Sequence, residues 1–185
     1  MGTVMTQQTQ PTRHDHRVER RRLARCDVLS ARLAELQSIR DLLAQAAEVL
    51  AHGWVQHGWF SVGTPTGEVV VTAYHLRLVD TYPVTGACLA GAVVHAGGGP
   101  ASVGSQLTQR SLDLTWHALR DDDVLPAVRC PSPQVRTMRL LDLTRWNDAR
   151  GRTRADVVGL LGSAQRLAAD QGALCRAEQD TLARL

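Results

Sequence analysis

Lysine is absent from this chain, so all 21 of its Lys/Arg-class side chains are arginine. Together with abundant Ala, Gly and Leu, this reads as coding from a GC-rich genome, a statement about origin rather than mechanism. Gly97-Gly98-Gly99 is not a phosphate loop, which would need a following Lys-Ser/Thr and a strand–helix context. Cysteine is scarce: Cys26, Cys88, Cys130 and Cys175 lie far apart, with no C-x-x-C pair. That spacing excludes a zinc ribbon and a dense disulfide framework. No window approaches about twenty uninterrupted apolar residues, so no membrane span is expected. Met1 to Pro11 is polar and lacks the apolar segment of a secretory signal, which makes the cytoplasm the expected compartment. A G-x-S-x-G elbow and internal repeats are also missing.

With 185 residues, 44% of them hydrophobic and 21% charged, the chain has the make-up of one globular domain with a single core. The net charge of +3 is unevenly placed. Residues 1–25 carry Arg13, Arg17, Arg20, Arg21, Arg22 and Arg25 against Asp15 and Glu19, a balance of +4 that leaves the remainder at −1. Such a segment either meets phosphates or anionic lipid, or is simply a solvated terminus. Residues 1–16 are rich in Gln, Thr and His without apolar periodicity and read as a disordered tail. The domain then occupies 17–185.

From Val28 the pattern turns helical. Leu29, Leu33, Leu36, Leu43, Ala47 and Leu50 share one stripe, and Gly53 is the stop. Leu29, Leu36, Leu43 and Leu50 also recur every seven residues, the spacing of a coiled-coil seam. The second seam position would read Arg32, Ile39, Ala46 and Gly53, however, beginning with a charge and ending with glycine. The stripe is therefore expected to pack on the protein's own helices, chiefly one from Thr153 to Ala169, with Arg32 on the surface.

His52 to Trp59 forms an aromatic corner, and Gly63-Thr-Pro-Thr-Gly67 has turn chemistry. Val69 to Leu78 alternates as a strand, with Trp59–Val62 as its partner, so a β-hairpin is inserted at about 59–80. Ala87 to Ala96 reads as a short helix closed by Gly97–Pro100. Ser102 or Ser105 caps another that reaches Arg120. Asp121–Asp123 and Cys130–Pro133 mark a linker, and Val135–Leu143 is a further short element. Thr153-x-x-Asp156 opens a capped helix to Ala169, with Asp in place of the usual Glu. A last amphipathic turn runs from Leu174 to Leu185. The fold expected is mainly α: a single helical domain with a small inserted β-hairpin and a disordered N-terminal tail.

Two short segments about sixty residues apart stand out, Cys88-Leu-Ala-Gly-Ala92 and Trp146-Asn147-Asp148, the latter followed by Thr153-Arg-Ala-Asp156. They resemble a family of small uncharacterised actinobacterial and phage proteins, in which a C-x-x-G-A segment precedes a W-N-D turn and a closing helix. The resemblance spans roughly Leu42 to Ala169; it implies a fold and carries no activity. The chain departs from it at Val62–Thr85, where relatives are short and this sequence carries the β insertion.

Cys88 at the start of its helix meets unpaired N–H groups and the positive end of the helix dipole, which favour a thiolate. The alternative is a small buried hydrophobe, with Ala87, Ala90, Gly91 and Ala92 kept small by a close helix. His75, His95 and His117 are possible bases without a signature spacing. His95 lies about 10 Å along the helix, too far for a thiolate–imidazolium pair, which leaves His75 better placed. Asn147 and Asp148 either fix the start of the last long helix, with Trp146 in the core, or orient an imidazole beside Cys88. No metal or cofactor is indicated: Asp121–Asp123 are adjacent carboxylates, Asn147–Asp156 lacks calcium-loop alternation, and neither His14/His16 nor His52/His57 has ligand spacing.

No nucleophile has an assigned base. The expected function is thus a non-catalytic helical protein that binds another protein in a regulatory or accessory role. Two other classes stay open: a cysteine-dependent enzyme using Cys88 with His75, Asn147 and Asp148, and a nucleic-acid binder using Arg13, Arg17, Arg20, Arg21, Arg22 and Arg25.

Overall fold

The computed structural model describes residues 13–120 and 131–184. Helix α1, Arg13–His52, runs unbroken for 40 residues, about 60 Å at 1.5 Å per residue. Leu29, Leu36, Ile39, Leu43, Ala46 and Leu50 form its buried stripe. Its main partner is α6, Arg154–Ala183, which runs antiparallel to it. Arg154 Nη1 donates to the Ala51 carbonyl at 3.0 Å, Arg32 Nη2 to Gln171 Oε1 at 2.8 Å, and Arg25 Nε to Glu178 Oε1 at 2.6 Å. Val157, Leu160, Leu161, Ala164 and Ala168 supply the facing surface. The start of α6 is a full capping box: Asp156 N donates to Thr153 Oγ1, and Thr153 N to Asp156 Oδ2.

Between these two long helices the chain builds the rest. Strands β1 (Phe60–Thr64) and β2 (Gly67–Val71) pair antiparallel from Phe60↔Val71 to Thr64↔Gly67. A positive φ of 124° at Gly67 lets the turn close. Strand β3 (Val84–Ala87) adds to the other side of β1, giving the order β2-β1-β3. The short helix α2 (Leu78–Thr81) links β2 to β3. Then follow α3 (Leu89–Ala96), α4 (Gln106–Arg120) and α5 (Pro133–Asn147). Phe60, the single phenylalanine, is fully buried in one continuous core that also contains Leu43, Leu89 and Val93.

The architecture is the one anticipated, a helical domain carrying a small antiparallel sheet. Its details differ in four places. Residues 1–12 of the expected tail and 121–130 of the expected linker lie outside the described residues, but Arg13–His16 are helical rather than tail. The hairpin gains a third strand. The expected strand Val69–Leu78 ends at Val71, and Ala73–His75 turns as a 3₁₀ helix that leaves Tyr74 93% exposed. Finally, α6 continues through Gly172 where two elements were expected. Gly172 is buried on the seam near Leu33, so packing outweighs its helix penalty of about 1 kcal/mol.

Arg32 is also not a surface residue. Its Nη1 donates to Glu35 Oε2 at 2.6 Å, and Glu35 in turn accepts from Arg110 on α4 at 2.7 Å. With side-chain exposures of 19% and 22%, the Arg32–Glu35 pair is partly shielded. Replacing Arg32 by Ala should cost about 1 kcal/mol, the upper end for partly solvated pairs, whereas Leu43→Ala should cost about 2–5 kcal/mol. Urea unfolding followed by circular dichroism measures both. If Leu43→Ala left stability unchanged but dissociated an oligomer, the stripe would be an assembly surface instead.

Candidate functional site

The two sequence signatures meet at one joint. Asn147, the last residue of α5, is completely buried and uses its carboxamide four times. Its Oδ1 accepts from Trp54 Nε1 at 2.8 Å and from the Leu89 N–H at 3.1 Å. Its Nδ2 donates to the Val55 carbonyl at 3.1 Å and to Asp148 Oδ1 at 2.8 Å. Asp148 Oδ1 also accepts from the His57 N–H at 2.9 Å, at a residue held in the left-handed region with φ 60°. Gln56 Nε2 donates to the Asn147 carbonyl at 2.9 Å. The W-N-D turn therefore grips the corner after α1 and the first turn of α3 together.

Cys88 is the N-cap of α3, its Sγ accepting from the Gly91 N–H at 3.3 Å. The thiol is 1% exposed. Burial pushes it up to about 11, against the smaller pull of the Gly91 and Ala90 N–H groups, and the nearby Asp148 carboxylate adds to the rise. The helix end that should favour a thiolate is thus outweighed by desolvation and a neighbouring negative charge. Gly91 has its own reason: a Cβ there would stand 2.1 Å from the Trp59 carbonyl oxygen. The Cys88 N–H donates to that same carbonyl at 2.9 Å. Gly53 and Gly86 make a second close crossing, where a Cβ on Gly53 would stand 2.1 Å from the Thr85 carbonyl oxygen. The C-x-x-G-A pattern thus follows from backbone meeting backbone.

Of the four candidate residues, Cys88, Asn147 and Asp148 are brought together. His75 is not: it is exposed on the turn after β2, with Thr72 Oγ1 3.4 Å from its Nδ1. The imidazole nearest the joint is His57, whose Nδ1 lies 3.8 Å from Asp148 Oδ2, but its side chain is 77% exposed while Cys88 is sealed. Trp54, Gln56 and His57 were not singled out from sequence, although the aromatic corner containing them was visible. Trp146 is only half-buried, and Arg152 stacks on its ring with Cζ 3.8 Å from the centroid. Among the described residues no three His, Cys, Asp or Glu side chains converge as metal ligands, and no helix is long and apolar enough to cross a membrane.

The chain belongs to DUF6197, a family of unknown function, whose pattern matches residues 34–167. No curated protein and no solved structure matches it. The matched span contains the whole joint, while Arg13–Leu33 of α1 and Ala168–Ala183 of α6 fall outside it.

The raised thiol sets a pH test. The fold keeps the Cys88 proton to about pH 11, while an unfolded thiol loses it near 9.0. The resulting stability is complete below about pH 9 and is lost as pH rises towards 11, up to about 3 kcal/mol. Wild-type urea midpoints should fall more steeply across that window than those of Cys88→Ser, which keeps a cap acceptor without titrating. Native Cys88 should also resist iodoacetamide until unfolding. Equal slopes for the two proteins, with rapid native alkylation of Cys88, would mean that the thiol is solvated.

Proposed function

We propose that this protein is a non-catalytic binding protein with a regulatory or accessory role, and that it engages a protein partner through the two-helix arm formed by the start of α1 and the end of α6. The observation that carries this reading is the surface of the arm. Val18, Leu23 and Val28 on α1 and Leu174 on α6 are each more than half exposed. They sit among the exposed Arg17, Arg20 and Arg21. From Arg32 back to Arg22, the hydrogen bonds that α1 makes to other helices all go to α6. The arm also lies outside the span matched by the family.

The apolar side chains Val18, Leu23 and Val28, five residues apart along α1 and so turned to different sides of it, alternate with arginine, which suits a partner that packs around the arm with apolar and acidic side chains. The thiol-enzyme reading has less support, because Cys88 is sealed and its neighbours are satisfied within the fold. The arginines alone would favour nucleic acid, but Arg22 and Arg25 are partly neutralised by Glu19 and Glu178. We also infer that C-x-x-G-A and W-N-D are the family's structural signature, since both serve the same joint. A cytoplasmic setting is supported by the free thiols of Cys26, Cys88 and Cys175. An actinobacterial or phage origin rests on the motif resemblance and the lysine-free composition.

Affinity purification from the native host tests the arm, comparing wild type with a Val18→Asp, Leu23→Asp, Val28→Asp variant of equal helicity. A protein held by wild type at moderate salt, resistant to nuclease and lost with the variant, supports the reading. Equal recovery by both, or nuclease-sensitive material whose retention falls steeply with salt, would overturn it.

A further inference from the structure

The strand order β2-β1-β3 leaves β2 with one strand neighbour among the described residues. Gly67, Glu68, Val69 and Val70 are all exposed, the two valines at 39% and 51%. The backbone shows which groups point away from β1. The Trp59 N–H donates to the Val71 carbonyl at 2.8 Å, and Thr64 Oγ1 donates to the Gly67 carbonyl at 2.7 Å, so both carbonyls face β1. Direction alternates along an antiparallel strand. Val69 therefore faces β1 as well, and Glu68 and Val70 turn their N–H and C=O groups outward. We propose that β2 pairs antiparallel with β2 of a second copy of this chain, joining two three-stranded sheets into one. The inference is independent of the partner reading of the arm.

The edge is unguarded. Sheet edges are ordinarily protected against pairing by lysine, proline or a charge held at the rim. Strand β2 contains neither lysine nor proline. Its one charge, Glu68, is drawn back over β1, where Thr85 Oγ1 on β3 donates to its Oε1 at 2.6 Å. What remains at the rim is glycine and valine, the second of which favours extended pairing.

The same edge is complementary to itself. The Thr72 carbonyl accepts from the His75 N–H at 3.0 Å, so the strand closes after Val71. Its five residues then centre on Val69, with the outward-facing Glu68 and Val70 one on each side. A twofold axis at Val69 sets Glu68 of each copy opposite Val70 of the other. Every outward N–H and C=O of one strand meets its counterpart, and the two carboxylates are not directly opposed. Val69 meets Val69, a β-branched cross-strand pair. Such a contact uses the same patch on both copies and closes at the dimer. A pair of five-residue strands covers less than the roughly 1,200 Å² of a stable complex, so the association is reversible and weak.

Sedimentation velocity on the full chain, from about 10 µM to about 1 mM, covers the range of a weak interface. Wild type should shift reversibly from monomer to dimer. Val69→Lys and Val69→Glu each set like charges against one another at the axis and should weaken the dimer about tenfold. An equimolar mixture of the two should restore it, because opposite charges then meet. Val70→Pro removes an outward N–H while sparing the ladder to β1, and should weaken pairing likewise. Circular dichroism verifies folding, and Val70→Pro decides if a Val69 variant does not fold. The Val18→Asp, Leu23→Asp, Val28→Asp variant should dimerise like wild type, which separates this contact from the arm. A monomer throughout the range, a dimer indifferent to Val69→Lys and Val70→Pro, a dimer lost with the arm variant, or a mixture that stays monomeric would overturn the proposal.

Discussion

The carboxamide of Asn147 is the interaction on which the joint depends. It is a fully buried polar group, and such a group destabilises a fold unless it is matched. Here both donors and the acceptor are used, and the partners come from three places in the chain: the corner at Trp54–Val55, the first turn of α3 at Leu89, and Asp148. Only an amide can accept at one end and donate at the other in this way. A carboxylate could not donate to Val55, and an aliphatic side chain would strand all the partners at once.

The close crossings at Gly91 and Gly53 are the other half of the same constraint. Where the Trp59 carbonyl approaches α3 and the Thr85 carbonyl approaches the end of α1, a side chain would occupy the space of backbone. These contacts bring the Cys88 N–H onto Trp59 and the Ala87 N–H onto Gly53, and so seat β3 and α3 beneath the corner. Cys88 then sits where water cannot reach. Its properties are those of a small apolar cap residue, and its chemistry is muted by the packing that makes it necessary.

How much of this was legible beforehand varied with the range of the interaction. The stripe of α1, the Thr153–Asp156 cap and the Gly67 turn are local patterns, and each folds as its residues indicate. The extension of α1 back to Arg13 is not visible as periodicity. It rests partly on cross-helix contacts such as Arg25–Glu178 and Arg22–Leu182. The gap expected between Ala169 and Leu174 is instead continuous helix, because Gly172 packs against Leu33 of α1, a contact distant in sequence. Strand β3 is four residues long with no alternation, and only its pairing with β1 defines it. At the site, Cys88, Asn147 and Asp148 were singled out together. Their partners Trp54 and Gln56 were missed because they lie more than ninety residues away in sequence.

A rigid body held by this joint and an arm with exposed apolar and basic residues divide the molecule into a scaffold and a presenting surface, and the central claim concerns the scaffold. Equilibrium urea unfolding of Asn147→Ala tests it most directly. The account predicts a loss of about 3–5 kcal/mol, because the Trp54 indole, the Leu89 N–H and the Val55 carbonyl are stranded together. A loss within about 0.5 kcal/mol, the range of an ordinary surface substitution, would contradict it.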